Sequence, residues 1–413
     1  MKCAMALTAL LCAAILAIWA PERWPWAVVQ VGVFALVAGN ATRLDRLRPA
    51  TAALLAIAAW PFAQLAMGQT VSRGATWTAA IDWWTFALIF LLAVQVFEHR
   101  AAREWFLRAA ALGGAAVALL AVAQTYSSHG AIYWIFPSGY TEDVLGPFVN
   151  RNQFAAWIEL LFPTGLWLAA TSRQARALYA VAAAVMFSAA MASGSRAGCV
   201  LVVLEAVTVL VLLRWRGQRS RAMQFGALAA AGVAVVGCQS LLSRFAGTAG
   251  DALRWDALRA SVQMVRDRPW AGSGLGTWPS LYPRYAGFDS GLYMNQAHND
   301  WAQWAAEGGL PFLLLMIFFA GTLMKPAFRS IYGVGIAAFL LHALLDYPMQ
   351  QRPALAAWFF LVAGAVYAGR RTHANSNDDL LRGVGHFRNG LARRDPAGLQ
   401  AACPADPPRS LRG

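Results

Sequence analysis

The sequence predicts an all-α integral membrane protein of about twelve transmembrane helices, and three observations carry that reading. Hydrophobic residues make up 59% of the 413 positions and charged residues 13%, with a mean hydropathy of +0.47. A water-soluble enzyme of this length needs more polar surface than that supplies. Apolar runs long enough to cross a hydrocarbon core of ~30 Å recur along almost the whole chain. The runs are continuous rather than alternating, which excludes an outer-membrane barrel.

In chain order the runs occupy residues 4–20, 26–40, 50–67, 79–97, 105–125, 154–171, 178–192, 198–213, 223–242, 309–324, 331–345 and 354–368. The first has one lysine, Lys2, in front of it and no small-residue cleavage site before Pro21, so it reads as a span rather than a removed signal. The connection at 20–25 is short enough to be interfacial or re-entrant. The five cysteines, Cys3, Cys12, Cys199, Cys238 and Cys403, show no paired spacing, and neither a disulfide framework nor a zinc site is expected.

Arginine placement sets the orientation. With the amino terminus in the cytoplasm, inner loops carry Arg43, Arg46 and Arg48, then Arg100, Arg103 and Arg108, Arg173 and Arg176, and Arg214, Arg216, Arg219 and Arg221, followed by Lys325 and Arg329. The opposite loops hold mainly Arg23, Arg73, Arg151, Arg196 and Arg352, so the positive-inside rule places both termini in the cytoplasm. The net charge of +14 then reads as an orientation signal and a contact with anionic membrane lipids rather than as a nucleic-acid footprint. Residues 1–369 form the expected transmembrane domain, and 370–413, without apolar periodicity, a disordered cytoplasmic tail.

One outer segment breaks the charge rule. Residues 243–308 carry Arg244, Arg254, Arg259, Arg266, Arg268 and Arg284, a load that points to an anionic ligand unless Asp251, Asp256, Asp267 and Asp289 neutralise it. Within it Trp255, Leu258, Val262 and Val265 recur at helical spacing, which predicts an amphipathic helix over 251–268 lying on the bilayer surface and ended by Pro269. Gly272, Gly274 and Gly276 follow, a turn that permits close backbone approach to a ligand. It is no P-loop, because no Gly-Lys-Ser/Thr follows, and the only lysines are Lys2 and Lys325.

The polar residues gather just before the run at 309–324. From Asn299 onward the spacing is helical, with Trp301, Trp304 and Ala305 on one face and Asp300, Gln303 and Glu307 on others. His298 falls at the helix start, beside Asn295 and Asn299 as candidate caps, and can exchange a proton near neutral pH. Three further outer loops offer partners. Arg196, after Ser193, Gly194 and Ser195, presents either a planar fork to phosphate oxygens or a snorkelling side chain. Arg151 and Asn152 open the helix after Gly146, and helix amino ends favour anions. His342 and Asp346, four apart, share a helix face, either as an Asp fixing a His tautomer or as a structural pair.

Those residues resemble the bacterial O-antigen ligase and O-antigen polymerase superfamily of polytopic glycosyltransferases. The resemblance rests on Ser193 to Arg196, on Arg254 and Trp255 ahead of Pro269 and the 272–276 turn, on Ala297, His298 and Asn299 leading to Glu307 and Gly308, on 146–152, and on His342, Asp346 and Pro348. It covers about residues 146–353. It implies a GT-C-like enzyme of the inner membrane with a periplasmic active site. The donor would be a glycan on undecaprenyl pyrophosphate, and the acceptor a sugar hydroxyl on lipid A core or another lipid-linked glycan. Arg196 with Arg254 or Arg259 would hold the pyrophosphate and His298 would act as general base, with Arg151, Asn152, Asn299, Glu307, His342 and Asp346 in support. No outer-loop Asp-x-Asp motif appears, so transfer without a metal or cofactor is expected. Ligase is favoured over polymerase because no long soluble insertion is present. A lipid-linked glycan flippase is the more distant alternative; Glu159 and Glu205 are the main mid-span acids it could use.

Overall fold

The computed structural model describes residues 1–40, 48–139, 144–172, 174–215, 251–289, 291, 293–350 and 352–369. Within them the chain is a bundle of helices: α1 (Lys2–Leu16), α2 (Trp24–Gly39), α3 (Pro49–Ala66), α4 (Arg73–Phe97), α5 (Arg100–Ser127), α6 (Arg151–Thr171), α7 (Arg176–Ala192), α8 (Arg196–Trp215), α9 (Asp251–Asp267), α10 (Trp278–Tyr285), α11 (Asp300–Ser330), α12 (Val334–His342) and α13 (Pro353–Gly369). Six of these, α3, α4, α5, α6, α8 and α11, are long and apolar enough to cross a membrane, and α1, α2, α7 and α13 are shorter apolar helices. The protein is an all-α polytopic membrane protein.

One expected span lies outside the described residues and one differs. The run at 223–242 lies outside the described residues, as do the tail and Arg43, Arg46, Arg173, Arg216, Arg219 and Arg221. The run at 331–345 forms only the nine-residue α12. At 1.5 Å per residue such a helix reaches roughly half of the hydrocarbon core. It starts late because Ile331 adopts φ 61°, and it packs deep, with Gly335 against the carbonyls of Glu159 and Leu160. A small hairpin, β1 (Ala131–Ile132) with β2 (Phe136–Pro137), was also not expected; its turn puts Tyr133 and Trp134 at positive φ.

Helices apolar on all sides go to the middle of a bundle. Accordingly α13 is buried from Ala354 to Ala368, and α6 from Gln153 to Leu166. Trp358 of α13 donates its indole N–H to the Leu11 carbonyl of α1 at 2.9 Å, and Gly364 lets α4 approach at Phe90 and Ala93. Side-chain caps start the helices that matter for the site. Asn150 accepts the Asn152 amide at 2.8 Å to open α6, and Asn299 accepts the Ala302 amide at 2.9 Å to open α11.

α11 joins two expected elements into one, the helix from Asn299 and the apolar run at 309–324, with a break at Gly309 (φ 75°, ψ 176°). The break is backed by the chain after α9: Leu310 donates to the Pro269 carbonyl at 2.7 Å, and a Cβ on Gly309 would lie 2.5 Å from the Trp270 carbonyl oxygen. Only glycine fits there without a shift.

Candidate functional site

Asp346, just beyond α12, gathers side chains from three other parts of the chain. Its Oδ1 lies 3.5 Å from Nδ1 of His298, and its Oδ2 lies 3.8 Å from the Arg254 guanidinium of α9. Asn152, in the first turn of α6, donates its side-chain amide to the same Oδ2. Tyr347 follows, and its backbone N–H donates to Asp346 Oδ1 at 3.0 Å. The Tyr347 ring meets the His298 ring edge-on at 4.7 Å, and its hydroxyl accepts from Asn150 at 3.1 Å. Burial raises the Asp346 pKa, but the His298 side chain 3.5 Å away and the charges of His342 and Arg254 outweigh it and hold the carboxyl below its ordinary value. Asp346 is thus an anion 3.5 Å from a His298 Nδ1 that makes no hydrogen bond among the described residues, while both the His298 ring and the Arg254 guanidinium remain partly open, at 25% and 39% side-chain exposure.

The backbone around His298 is held from both sides. His298 adopts φ 53°, a left-handed conformation that costs a non-glycine residue roughly 1–2 kcal/mol. Neighbouring bonds fix it on both sides. The Ala297 N–H donates to Gln303 Oε1 at 2.9 Å, the Asp300 N–H to the carbonyls of Ala343 and Asp346, and the Asn299 amide to the Leu344 carbonyl at 2.8 Å. Asp300 in turn accepts the Met349 N–H at 3.0 Å. The 296–300 turn and the 343–349 segment are therefore one stitched unit.

His342 and Asp346 do not pair with each other, which corrects both alternatives read from their four-residue spacing. His342 points into the bundle, where Nδ1 lies 2.9 and 3.0 Å from the two carboxylate oxygens of Glu159 in α6, with both residues fully buried. Asp346 instead serves His298. The spacing gave each residue a face but not a partner 183 positions away.

The remaining predicted residues fall in three places. Arg196 opens α8 behind Ser195, whose hydroxyl accepts the Gly198 N–H at 3.2 Å. Gly198 packs against Ala155, one turn along α6 from Asn152, so Arg196 starts beside the same helix end that supplies Asn152. Arg151 opens α6 itself. Arg259 is exposed and lies near Gly287 and Asp256, away from the Asp346 cluster, so the structure separates it from Arg254. Glu307 is buried, and its carboxylate accepts the Gly276 N–H at 2.9 Å, the Trp278 N–H at 2.8 Å and the Gln303 amide at 3.2 Å.

That last set changes the meaning of the glycine turn. A Cβ on Gly272 would lie 2.2 Å from the Glu307 carbonyl oxygen, and one on Gly274 would lie 2.2 Å from Thr70 Oγ1. The close backbone approach permitted by these glycines is to the protein's own chain. Gln64 of α3 completes the joint, donating to the carbonyls of Ala271 and Glu307 and accepting the Leu275 N–H. The turn locks α3, α9 and α11 together and so positions Arg254 relative to His298.

The predicted amphipathic helix is present as α9. Its inner face is Ala257, Ala260, Ser261 and Met264, packed with Trp278, Tyr282 and Ala297, while Trp255 and Val262 face outward at 70% and 43% exposure. Asn150 and Tyr347 are the site residues that sequence reading passed over, and Gln303, read only as part of a polar helix face, holds the Ala297 N–H. A tyrosine directly after Asp346 and an asparagine directly before Arg151 were the available signals. Residues 181–317 match the family model described as O-antigen ligase, a region that holds Arg196, Arg254, Arg259, His298, Asn299 and Glu307. No curated protein matches the chain.

Proposed function

The match of residues 181–317 supports membership of the O-antigen ligase and polymerase superfamily, and from that premise we propose that this protein transfers a glycan from undecaprenyl pyrophosphate to a sugar hydroxyl of lipid A core, as an O-antigen ligase. The observation that carries the proposal is the convergence of His298, Arg254 and Asn152 on Asp346 from segments far apart in sequence. The reaction is placed at the periplasmic face of the inner membrane, with both termini cytoplasmic, because the arginine-poor loops and the site share one side of the predicted topology.

The chemistry follows from those groups. His298, oriented by Asp346, removes the proton from the acceptor hydroxyl as that oxygen attacks the anomeric carbon. The new glycosidic C–O bond forms while the bond from the anomeric carbon to the phosphate oxygen breaks. The electron pair leaves on undecaprenyl pyrophosphate. Arg254 and Arg196 neutralise the developing charge, which is worth more in a site partly shielded from water. The two guanidiniums supply the charge stabilisation that a divalent cation would otherwise give, so the transfer is proposed to be metal-independent and unaffected by EDTA.

Complementation of a strain lacking this protein tests the reading. His298→Ala and Arg196→Ala variants present at normal membrane levels should lose the long surface glycan on a gel. Loss of all capping on lipid A core identifies a ligase. Loss of chain length alone identifies the polymerase of the same superfamily. Normal glycan in both variants sinks the catalytic assignment.

A further inference from the structure

Arg352 directly precedes α13 and belongs to no part of the His298 cluster. It is half-buried, and its Nη1 donates to the Ala20 carbonyl at 2.7 Å, 332 positions away. Among the described residues no acid pairs with it, and burial with no opposing charge holds its pKa below the ordinary arginine value. An arginine carries five N–H donors and stays charged even so. A charge withdrawn from water without a counter-charge is costly, and such a group is ordinarily found with an anion.

Beside it lies a pocket of about 110 Å³, between the end of α1, the 17–23 connection and the starts of α2 and α13. Ala17, Ile18, Trp26 and Ala354 give it apolar walls, and Arg352 and Arg23 give it basic ones. Arg23 is taken by Asp82 at 3.1 Å. Glu22, also a wall, is exposed and paired with neither arginine, so it leaves the Arg352 charge unmatched. The space exceeds the ~10–15 Å³ that one water needs, yet falls below the ~300–1,000 Å³ of sites that enclose a whole small molecule. It suits a phosphate group attached to something that stays outside.

What lies outside is apolar. From the pocket's edge Trp24, Val28 and Val31 run along one side of α2 at helical spacing, all exposed, and Leu16 at the end of α1 is exposed as well. Trp19 stacks on Phe136 of the hairpin at 4.4 Å, and with Trp24 and the exposed Trp134 it supplies the aromatic residues typical of a membrane–water boundary.

We propose that this pocket binds the phosphate of an anionic bilayer phospholipid, with Arg352 on the phosphate oxygens and an acyl chain along the Trp24, Val28 and Val31 stripe. A cation at headgroup depth followed by a hydrocarbon-facing stripe fits a lipid rather than a free phosphate. A bilayer lipid is favoured over the donor's carrier because no wall of the pocket belongs to the Asp346 cluster, and Arg196 is not among its walls. The bound lipid would join the 17–23 connection to the start of α13, the same two segments that the bond from Arg352 to Ala20 links.

The full-length protein, purified in detergent, is titrated with phosphatidylglycerol, diacylglycerol of the same chains, inorganic phosphate and undecaprenyl phosphate, with bound lipid read by native mass spectrometry and the thermal midpoint followed alongside. Phosphatidylglycerol should bind saturably and raise the midpoint, with diacylglycerol and inorganic phosphate each weaker by about ten-fold or more. Arg352→Gln should weaken phosphatidylglycerol binding by about ten-fold or more. That variant also loses the bond to Ala20, so Ala17→Leu, which narrows the pocket and keeps the guanidinium, is measured with it and should weaken binding too. Ala17→Leu alone decides if Arg352→Gln does not reach the membrane. Arg284→Ala, exposed on α10 and outside the pocket, should stay within about two-fold of wild type. Unchanged phosphatidylglycerol binding in both pocket variants overturns the inference, as does inorganic phosphate that binds as tightly as the lipid. A preference of about ten-fold or more for undecaprenyl phosphate also overturns it and gives the pocket to the carrier. Transfer is not the readout, so the result is independent of the transferase reading.

Discussion

His298 and His342 both face a carboxylate, yet the two surroundings give them different uses. His298 sits in a strained turn with a quarter of its side chain exposed, beside an arginine that is also partly exposed. His342 is sealed between α12 and α6, bound to Glu159 with no exposed side-chain surface. A histidine that handles a substrate proton must be reachable, and strain at such a residue persists only when the surroundings enforce it. A histidine that fixes a helix needs neither. Exposure, strain and a nearby cation are what the proposed base has and His342 lacks; a carboxylate partner is common to both.

Exchanging the two roles by mutation gives the largest expected effects. His298→Ala should lower kcat by roughly 10² to 10⁴-fold while leaving the thermal midpoint close to wild type. His342→Ala should do the reverse. Removing one partner of a buried pair leaves Glu159 uncompensated among apolar helices and costs roughly 3–5 kcal/mol of stability, read as a lower midpoint or reduced membrane level. The comparison breaks if His298→Ala unfolds the protein, or if His342→Ala stays folded and loses activity to the same degree.

A second prediction sharpens the division of labour inside the working cluster. Arg254→Ala should raise donor KM by about ten-fold or more, and Arg254→Lys should recover only part of it, because a point charge cannot reproduce the planar fork. An unchanged donor KM would mean that Arg254 serves only to neutralise Asp346.

The part of this contrast that sequence could carry was the chemistry, and the part it could not carry was the pairing. Hydropathy located the spans because each is nearly uniform in composition, and Asn299 and Pro269 act locally, within a turn of their own position. Asp346 contacts Arg254 and Asn152 across 92 and 194 positions, and no local period encodes such a contact. The glycine turn misled for a related reason. Glycine signals that something approaches the backbone, but not whether it is a ligand or, as here, the carbonyl of Glu307.

Asp346→Asn tests the anion that links the two histidine regions. The folded pKa of Asp346 lies below its ordinary value, so the charged form stabilises the fold. That contribution is complete above the unfolded carboxyl value of about 3.9 and is lost as pH falls through the folded one. The midpoint gap between wild type and Asp346→Asn, corresponding to about 1.5–3 kcal/mol for hydrogen bonds to a charged group, should hold steady from pH 7 to about pH 4 and close below that. A gap that closes between pH 7 and 5 would show that Asp346 is not held as an anion. At neutral pH the variant should also lose kcat, since a neutral amide orients the His298 ring less firmly.

The smallest effect is expected at Arg259, and it is informative because sequence alone places that residue on a par with Arg254. Both are arginines of one amphipathic helix, five positions apart, and five positions turn a helix by about 140° from the starting direction. The structure uses that rotation. Arg254 reaches the Asp346 carboxylate, while Arg259 is exposed near Asp256, whose carboxylate is already engaged by the Tyr282 hydroxyl and the Gly287 N–H. Arg259→Ala should therefore change donor KM, acceptor KM and kcat by less than about two-fold, since an exposed charge this far from the cluster is screened by water and salt. Measured beside Arg254→Ala in the same membranes, a loss at Arg259 equal to that at Arg254 would mean that the pyrophosphate extends along α9 rather than ending at its first turn.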